Sequence, residues 1–184
     1  ALQTMTLAFR KNAIEYSLLF GAHIGAERHG GVIPWEHSDV DFAVFTNEAQ
    51  VERMLASMGW SWHEKEFGYH IDIADTTLYI DLWLFERRNR EVECVGRGGT
   101  GCRDYPMPVW REELWFPLRE QPFGPLVMPT PRTTAAIDWK SPGWRVTCAG
   151  HVTAPSCASL RDDFFFRAPV SLSDCRLSLF GSCW

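Results

Sequence analysis

An α+β fold is predicted for this chain of 184 residues. Three patterns predict it: apolar residues at helical spacing near the N-terminus, a strand-like alternation over Val40–Phe45, and two later apolar runs separated by a short turn. With 46% hydrophobic and 22% charged residues, the composition is that of a folded globular protein, and the length suffices for one hydrophobic core.

In chain order, Leu7, Ile14, Leu18 and Leu19 predict an amphipathic helix from Thr4 to Phe20, with Gly21 as its stop. The run Gly21-Ala-His-Ile-Gly25 puts small residues where backbone must come close to a neighbour. Pro34 bars regular helix and predicts a turn after Val32-Ile33. Val40-Asp-Phe-Ala-Val-Phe45 alternates its side chains and is rich in β-formers, so it predicts a strand. Asn47 is placed to cap a helix from Glu48 to Met58, which Gly59 ends. Phe67–Ile73 and Leu78–Phe85 predict two strands, joined as an antiparallel hairpin through Asp75-Thr-Thr77. Past Arg87, Gly96-Arg-Gly-Gly-Thr-Gly101 reads as a flexible loop. Trp115-Phe-Pro-Leu118 and Pro125-Leu-Val-Met128 read as the short strands of a second hairpin. Residues 1–132 are therefore expected to form the domain, and 133–184, where no period holds, an irregular tail.

A net charge of -5 argues against sequence-independent nucleic-acid binding, which needs a basic surface to displace counterions. A nucleotide substrate is compatible with it, because bound metal inverts the local field. No run reaches about 18 apolar residues, so no transmembrane segment is expected within this chain. Ala1–Phe20 carries Arg10, Lys11 and Glu15 and lacks a signal-peptide pattern. The six cysteines (94, 102, 148, 157, 175 and 183) include no C-x-x-C pair, which leaves a zinc site poorly supported. Cys94 and Cys102 flank the glycine loop and are read either as a disulfide of an oxidising compartment or as free buried thiols.

The chemistry centres on Asp39 and Asp41. Residues i and i+2 of a strand share a face, so both carboxylates can meet one cation. Hard oxygen ligands of this kind suit Mg²⁺ or Mn²⁺, ions that also hold substrate phosphates. Asp81 is the candidate third acid. It interrupts the apolar run Leu78-Tyr-Ile-Asp-Leu-Trp-Leu-Phe85, where an uncompensated carboxylate is costly to bury. Arg28 is read as a phosphate contact or as a surface partner of Glu27 or Glu36. His29 and His37 suit turns better than metal, Trp35 reads as packing beneath the acidic turn, and Trp83 as core or sheet surface. Glu112-Glu113 reads as a solvated helix face.

The chain resembles the LicD and fukutin-related proteins of the nucleotidyltransferase superfamily. The resemblance is carried by Phe20-Gly-Ala-His-Ile-Gly-Ala-Glu-Arg-His-Gly-Gly-Val-Ile-Pro-Trp-Glu36, by Asp39-Val-Asp41, and by Tyr79-Ile-Asp-Leu-Trp83 with Arg88-Asn89. Trp115-Phe-Pro-Leu118, Phe123-Gly124 and Val127-Met-Pro129 follow the family's order, so about residues 14 to 132 are covered. The resemblance implies a mixed β-sheet flanked by helices. It also implies transfer of a phosphorylated alcohol, of the ribitol phosphate or phosphocholine type, from a CDP-activated donor to a glycan acceptor. On it, Asp39 and Asp41 hold Mg²⁺, and Asp81 is the third ligand or the base that activates the acceptor hydroxyl. Gly21 and Gly25 let backbone approach the nucleotide, and Arg28 pairs with a phosphate. The implied location is the Golgi lumen for a eukaryotic chain, with any anchor outside this sequence, and the cytoplasm for a bacterial one.

Two departures from the family pattern stand out. Ser38 reads as a one-residue insertion between Pro34-Trp35 and the acids, which unsettles the place of Glu36 near the metal. The aromatic helix that normally follows the counterpart of Met128-Pro129 is reduced here to Ile137-Asp-Trp139. Both suit the alternative of a catalytically inactive member that binds metal or glycan. A metal-dependent hydrolase finds no ordered His/Asp ligand set.

Overall fold

The computed structural model describes residues 1–33, 39–74, 76, 78–141 and 144. Helix α1 (Leu2–Lys11) leads into strand β1 (Glu15–Leu18), helix α2 (Phe20–His29), strand β2 (Asp39–Phe45) and helix α3 (Glu48–Met58). Strands β3 (His63–Lys65), β4 (Gly68–Asp72), β5 (Tyr79–Arg88), β6 (Glu91–Cys94) and β7 (Trp110–Arg111) follow. The short helix α4 (Glu112–Trp115), the hairpin β8 (Arg119–Phe123) and β9 (Leu126–Thr130), and helix α5 (Ala135–Lys140) complete the described chain. The main sheet runs β1-β2-β5-β4-β3, and the far half of β5 turns away to pair with β6, which pairs with β7. Among the described residues, only β2 and β5 pair in parallel, and the other ladders of the sheet are antiparallel. The sheet is thus mixed and flanked by helices, as expected.

The period of two in β2 and β5 divides the molecule. Val40, Phe42 and Val44 of β2 join Ile80, Leu82 and Leu84 of β5 in one core, which α1 and α3 cover with Met5, Phe9, Val51, Met54 and Leu55. The opposite face carries Asp39, Asp41 and Ala43 beside Asp81, Trp83 and Phe85. Ala43, Trp83 and Phe85 enter a second cluster with Leu19, Phe20, Trp110 and Trp115. Helix α5 packs on α2, where Ile137 and Trp144 meet Ile24 and Ile33. The first turns of the segment expected to be irregular are therefore helical and packed.

Local signals fixed α3 as read: the Asn47 side chain accepts from the Gln50 amide at 3.0 Å, and Gly59 ends the helix at φ 68°. The β4–β5 hairpin also forms, although Asp75 and Thr77 of its expected turn lie outside the described residues.

Three expectations are corrected. The helix expected over Thr4–Phe20 is α1 followed by the edge strand β1. Asn12 closes α1 with its side chain on the Ala8 carbonyl at 2.8 Å, and Ala13 turns the chain at φ 51°. Leu7 is 56% exposed, so the apparent spacing of Leu7, Ile14 and Leu18 spanned a turn and marked no helical stripe. Gly21 does not stop a helix, because it lies in the first turn of α2. In the second hairpin the first strand is Arg119–Phe123 instead of Trp115–Leu118, since Trp115 ends α4 and fills the second cluster.

Candidate active site

The three aspartates come from the two parallel strands at the centre of the sheet. Their register sets Asp39 opposite Tyr79 and Asp41 opposite Asp81. All three carboxylates therefore leave the same face, at the end where β2 begins. Asp41 and Asp81 are both buried.

Each buried carboxylate has a partner that orients it. Trp83 Nε1 donates to Asp41 Oδ1 at 2.8 Å. The indole is held by stacking on Phe67 with centroids 4.0 Å apart, and by the edge of Phe20 at 5.1 Å. Asp81 Oδ1 lies 2.7 Å from His70 Nδ1, on the neighbouring strand β4. His70 Nε2 lies 3.3 Å from Asp72, and the other oxygen of Asp72 lies 3.1 Å from His63 Nε2. A chain of four polar side chains thus leads from buried Asp81 to the exposed pair Asp72 and His63.

Burial pushes the Asp81 carboxyl up to about 6; the His70 hydrogen bond and charge oppose that rise, and the charge of Asp39 adds to it. Asp39 and Asp81 therefore lie within each other's field, a like-charge pairing that a cation would relieve.

Helix α2 starts beside this face. The Leu19 amide donates to the Asp41 carbonyl at 3.0 Å, and Leu19, the N-cap residue of α2, has no side-chain acceptor to give its first turn. Phe20, its first residue, is held at φ 43°, a strained conformation for a side chain with a Cβ and one that concentrates at functional sites. Gly21 follows in the same turn, where amide N–H groups have no intrahelical acceptor. Gly25 faces inward: a Cβ there would meet the Gly31 carbonyl oxygen at 2.2 Å. The close approach expected of Gly25 is thus made to the chain's own loop. Arg28 lies in the last turn of α2, about 10 Å along the axis from Gly21. Its neighbour Glu27 is engaged by His23 at 3.3 Å and by Arg119.

The structure sets Asp39, Asp41 and Asp81 on one face of β2 and β5, puts Gly21 in the first turn of the helix that starts next to Asp41, and leaves Arg28 at the far end of α2. Trp35, Glu36, His37 and Ser38 lie outside the described residues. Among the described residues, no three His, Cys, Asp or Glu side chains gather closely enough to enclose one ion. The donors present nonetheless suit Mg²⁺, which binds through one or two carboxylates, keeps several waters and takes its remaining ligands from substrate phosphates.

A cleft of about 260 Å³ opens at Asp81, between Lys65, Phe67, Tyr79 and Tyr105. A larger cavity, about 710 Å³, lies at the other end of β2 around Thr46, Asn47 and Arg87, and no aspartate of the trio lines it. The smaller cleft is therefore the candidate site. Cys102, which also lines it, is disulfide-bonded to Cys94 with Cα atoms 5.8 Å apart, which decides between the two readings of that pair.

Sequence reasoning missed Trp83, His70 and Phe20 as site residues. His70 was within reach, because folding the predicted hairpin about its turn sets that residue against Asp81 within one position. Trp83 was hidden by its apolar surroundings, and the strain at Phe20 has no signature in residue type.

Acids at the start of a central strand of a mixed sheet, beside the first turn of a helix, are the arrangement of a nucleotidyltransferase fold. Solved structures agree. Lincomycin-bound lincosamide antibiotic adenylyltransferase LnuA aligns with a TM-score of 0.54 at 15% identity, over 77% of this chain and 84% of that one. The antibiotic-resistance factor ANT(2'')-Ia in solution aligns with a TM-score of 0.54 at 15% identity, over 75% of this chain and 66% of that one. Its complex with adenylyl-2''-tobramycin gives 0.53 at 13% identity, over 75% and 70%. At these identities the likeness establishes the fold alone.

The chain belongs to the family described as LicD/FKTN/FKRP, nucleotidyltransferase domain, which it matches over residues 13–133. It is 28% identical over 88 residues to ribitol 5-phosphate transferase FKRP of Homo sapiens, an alignment covering 41% of this chain. The Mus musculus protein of the same name matches over 88 residues at the same 28% identity. The chain spans 18% of the length of these curated relatives. Among the described residues, no helix is long and apolar enough to cross a membrane.

Proposed function

We propose that this domain transfers a phosphorylated alcohol, of the ribitol phosphate or phosphocholine type, from a CDP-activated donor to a hydroxyl of a glycan. The observation that carries the reading is the register of β2 and β5, which sets Asp41 against Asp81 with Asp39 on the same face. Membership of the LicD/FKTN/FKRP family and the ribitol 5-phosphate transferase named among its relatives support the class of reaction.

In the step itself, the acceptor oxygen forms a bond to the phosphorus that carries the alcohol. The bond from that phosphorus to the oxygen bridging to CMP breaks, and CMP leaves with the electron pair. The hydroxyl proton needs a base, and Asp81 is placed for it, buried and with its carboxyl raised to about 6. The amides of the first turn of α2, with Gly21 offering no side chain in the way, suit the donor phosphates. Trp83 fixes one oxygen of Asp41 and so aims the carboxylate. Mg²⁺, or Mn²⁺ in its place, would be held by Asp39 and Asp41, with Asp81 kept as the base, and would supply positive charge to the transferring phosphate. We place the reaction in the Golgi lumen of a eukaryotic cell, a reading supported by the Cys94–Cys102 disulfide, since such bonds persist in oxidising compartments.

The second reading is an inactive member that binds metal or glycan. It is favoured by the lack, among the described residues, of a three-ligand cluster. Asp41→Asn separates the two readings, because asparagine keeps an oxygen to accept from Trp83 and so preserves the fold. Under the transfer reading the wild-type chain releases CMP from a CDP-alcohol only with Mg²⁺, and the variant, with an unchanged circular dichroism spectrum, does not. A variant as active as wild type removes Asp41 from the chemistry, and a silent wild type leaves the inactive reading standing.

A further inference from the structure

We propose that the cleft beside Asp81 is the acceptor side of the site and takes a neutral, hydroxyl-bearing ring, on a wall built by the segment that begins at the disulfide-bonded Cys102. The inference rests on the transfer reading and assigns a surface to one of its two substrates.

Three aromatic side chains, Phe67, Tyr79 and Tyr105, line the cleft. Tyr105 stands against the edge of Trp83 at 5.3 Å and near Phe67 at 6.5 Å, with the Lys140 ammonium 5.4 Å from its ring centre, yet 46% of it remains exposed. A half-open aromatic braced from behind is a platform for a flat apolar face, such as the C–H face of a sugar. The polar lining suits the hydroxyls of the same ring: Glu66, Asp81 and Asp104 bring carboxylates, which when ionised accept hydrogen bonds only.

Charge settles which substrate belongs here. Three carboxylates line a cleft of about 260 Å³ against one lining ammonium, Lys65. The His70 imidazole is engaged by Asp81 at 2.7 Å and the Lys140 ammonium lies over Tyr105 at 5.4 Å, so acids outnumber the lysines. That field repels the phosphates of a CDP-linked donor and tolerates a neutral polyol. The donor phosphates are better received at the first turn of α2, which begins on the β1 side of Asp41, away from β5. Asp81, shared by cleft and acid face, is then where an acceptor hydroxyl would arrive.

The wall is pre-built. The disulfide ties Cys102 to the end of β6, and the Gly101 amide donates to the Val95 carbonyl at 2.8 Å. The Glu66 carboxylate accepts from the Arg103 amide and, at 3.2 Å, from the Asp104 amide. Arg97 anchors the loop's base to Glu48 at 3.2 Å, to Glu52 at 3.6 Å and to Glu64. Tyr105 thus follows directly on a segment fixed from both sides, which lowers the ordering cost of binding.

The test is a split of Michaelis constants in the full chain. Tyr105→Ala should raise the KM for the glycan acceptor at least tenfold while the KM for the CDP-alcohol moves less than threefold. Tyr105→Phe, which keeps the platform, should stay within threefold of wild type for both. An unchanged acceptor KM in Tyr105→Ala, or a rise confined to the donor, overturns the proposal. If the wild type turns over no CDP-alcohol, the transfer reading has failed on its own account, and the cleft is judged by binding to an array of neutral oligosaccharides and their sialylated or phosphorylated counterparts. Neutral glycans bound by wild type and lost in Tyr105→Ala uphold the cleft as a neutral-sugar site. No binding, a preference for the anionic glycans, or equal binding by the variant overturns it.

Discussion

The two faces of strands β2 and β5 share one backbone and do opposite work. On one, Val40, Phe42, Val44, Ile80, Leu82 and Leu84 lie against α1 and α3 without a polar atom among their side chains. On the other, the first positions of the same strands carry Asp39, Asp41 and Asp81, and only farther along do Ala43, Trp83 and Phe85 restore an apolar surface. The difference shows where this domain can hold costly groups. Carboxylates crowd one end of one face because the other face secures the strands that carry them.

Single substitutions at adjacent positions should break that division most sharply. Asp41→Asn should lower Mg²⁺-dependent CMP release by about a thousandfold, the scale lost when a preorganised electrostatic group is removed, with little change in Tm. Phe42→Ala should do the reverse. Phe42 is fully buried, with its ring 5.5 Å from Phe9 and 5.8 Å from Tyr16, and its truncation should cost about 3–5 kcal/mol. Denaturant unfolding measures that loss, and the surviving folded fraction should retain wild-type specific activity. Comparable losses of activity per folded molecule in both variants would erase the distinction between the faces.

Opening the disulfide comes next in size. Cys94→Ser with Cys102→Ser frees a short loop, for which chain entropy gives about 2–3 kcal/mol of lost stability. Because Cys102 lines the cleft, the same change should weaken acceptor binding more than donor binding.

Asp81→Asn sharpens the comparison through pH. Folded Asp81 keeps its proton up to about pH 6, whereas the unfolded chain releases it near 3.8. Over that window the unfolded state binds fewer protons, so this group lowers stability as pH rises and has its full cost above about 6. Asparagine removes the cost and can still accept from His70. In EDTA the variant should be more stable than wild type by about 1–3 kcal/mol at pH 7.5, with the gap closing by pH 4. A gap that widens on acidification would contradict the assigned direction.

Legibility in the sequence followed the same division. Period-two alternation made β2 readable, apolar runs on either side of a short turn did the same for β4 and β5, and Asn47 with Gly59 bounded α3 because each cap is a local interaction. Asp39 and Asp41 were readable because i and i+2 settle their face without further knowledge. Asp81 was flagged by the cost of an acid in an apolar run. Edge strand β1 was not readable, because its four residues are too few for a period to declare itself after an authentic helix. The partners of the acids were the least legible. Trp83 and His70 act across strand pairings, and a tryptophan among leucines carries no local mark of the hydrogen bond it makes.

That hydrogen bond gives the smallest expected effect and the finest test of the comparison, because Trp83 belongs to both roles. Its ring stacks on Phe67 as part of the second core, while its Nε1 donates to Asp41 at 2.8 Å. Trp83→Phe keeps an aromatic surface and deletes the donor. A buried carboxylate that loses one charge-assisted hydrogen bond gives up about 1.5–3 kcal/mol, part of which water in the adjoining cleft can restore. The expected outcome is a fall in kcat of about three- to thirtyfold, with Asp41 less well aimed and the KM for donor nearly constant. Thermal unfolding should fall by only a few degrees, the loss of packing being that of one ring edge. If kcat is unchanged while Tm drops, Trp83 serves the core alone, and Asp41 is held by the strand without help from the indole.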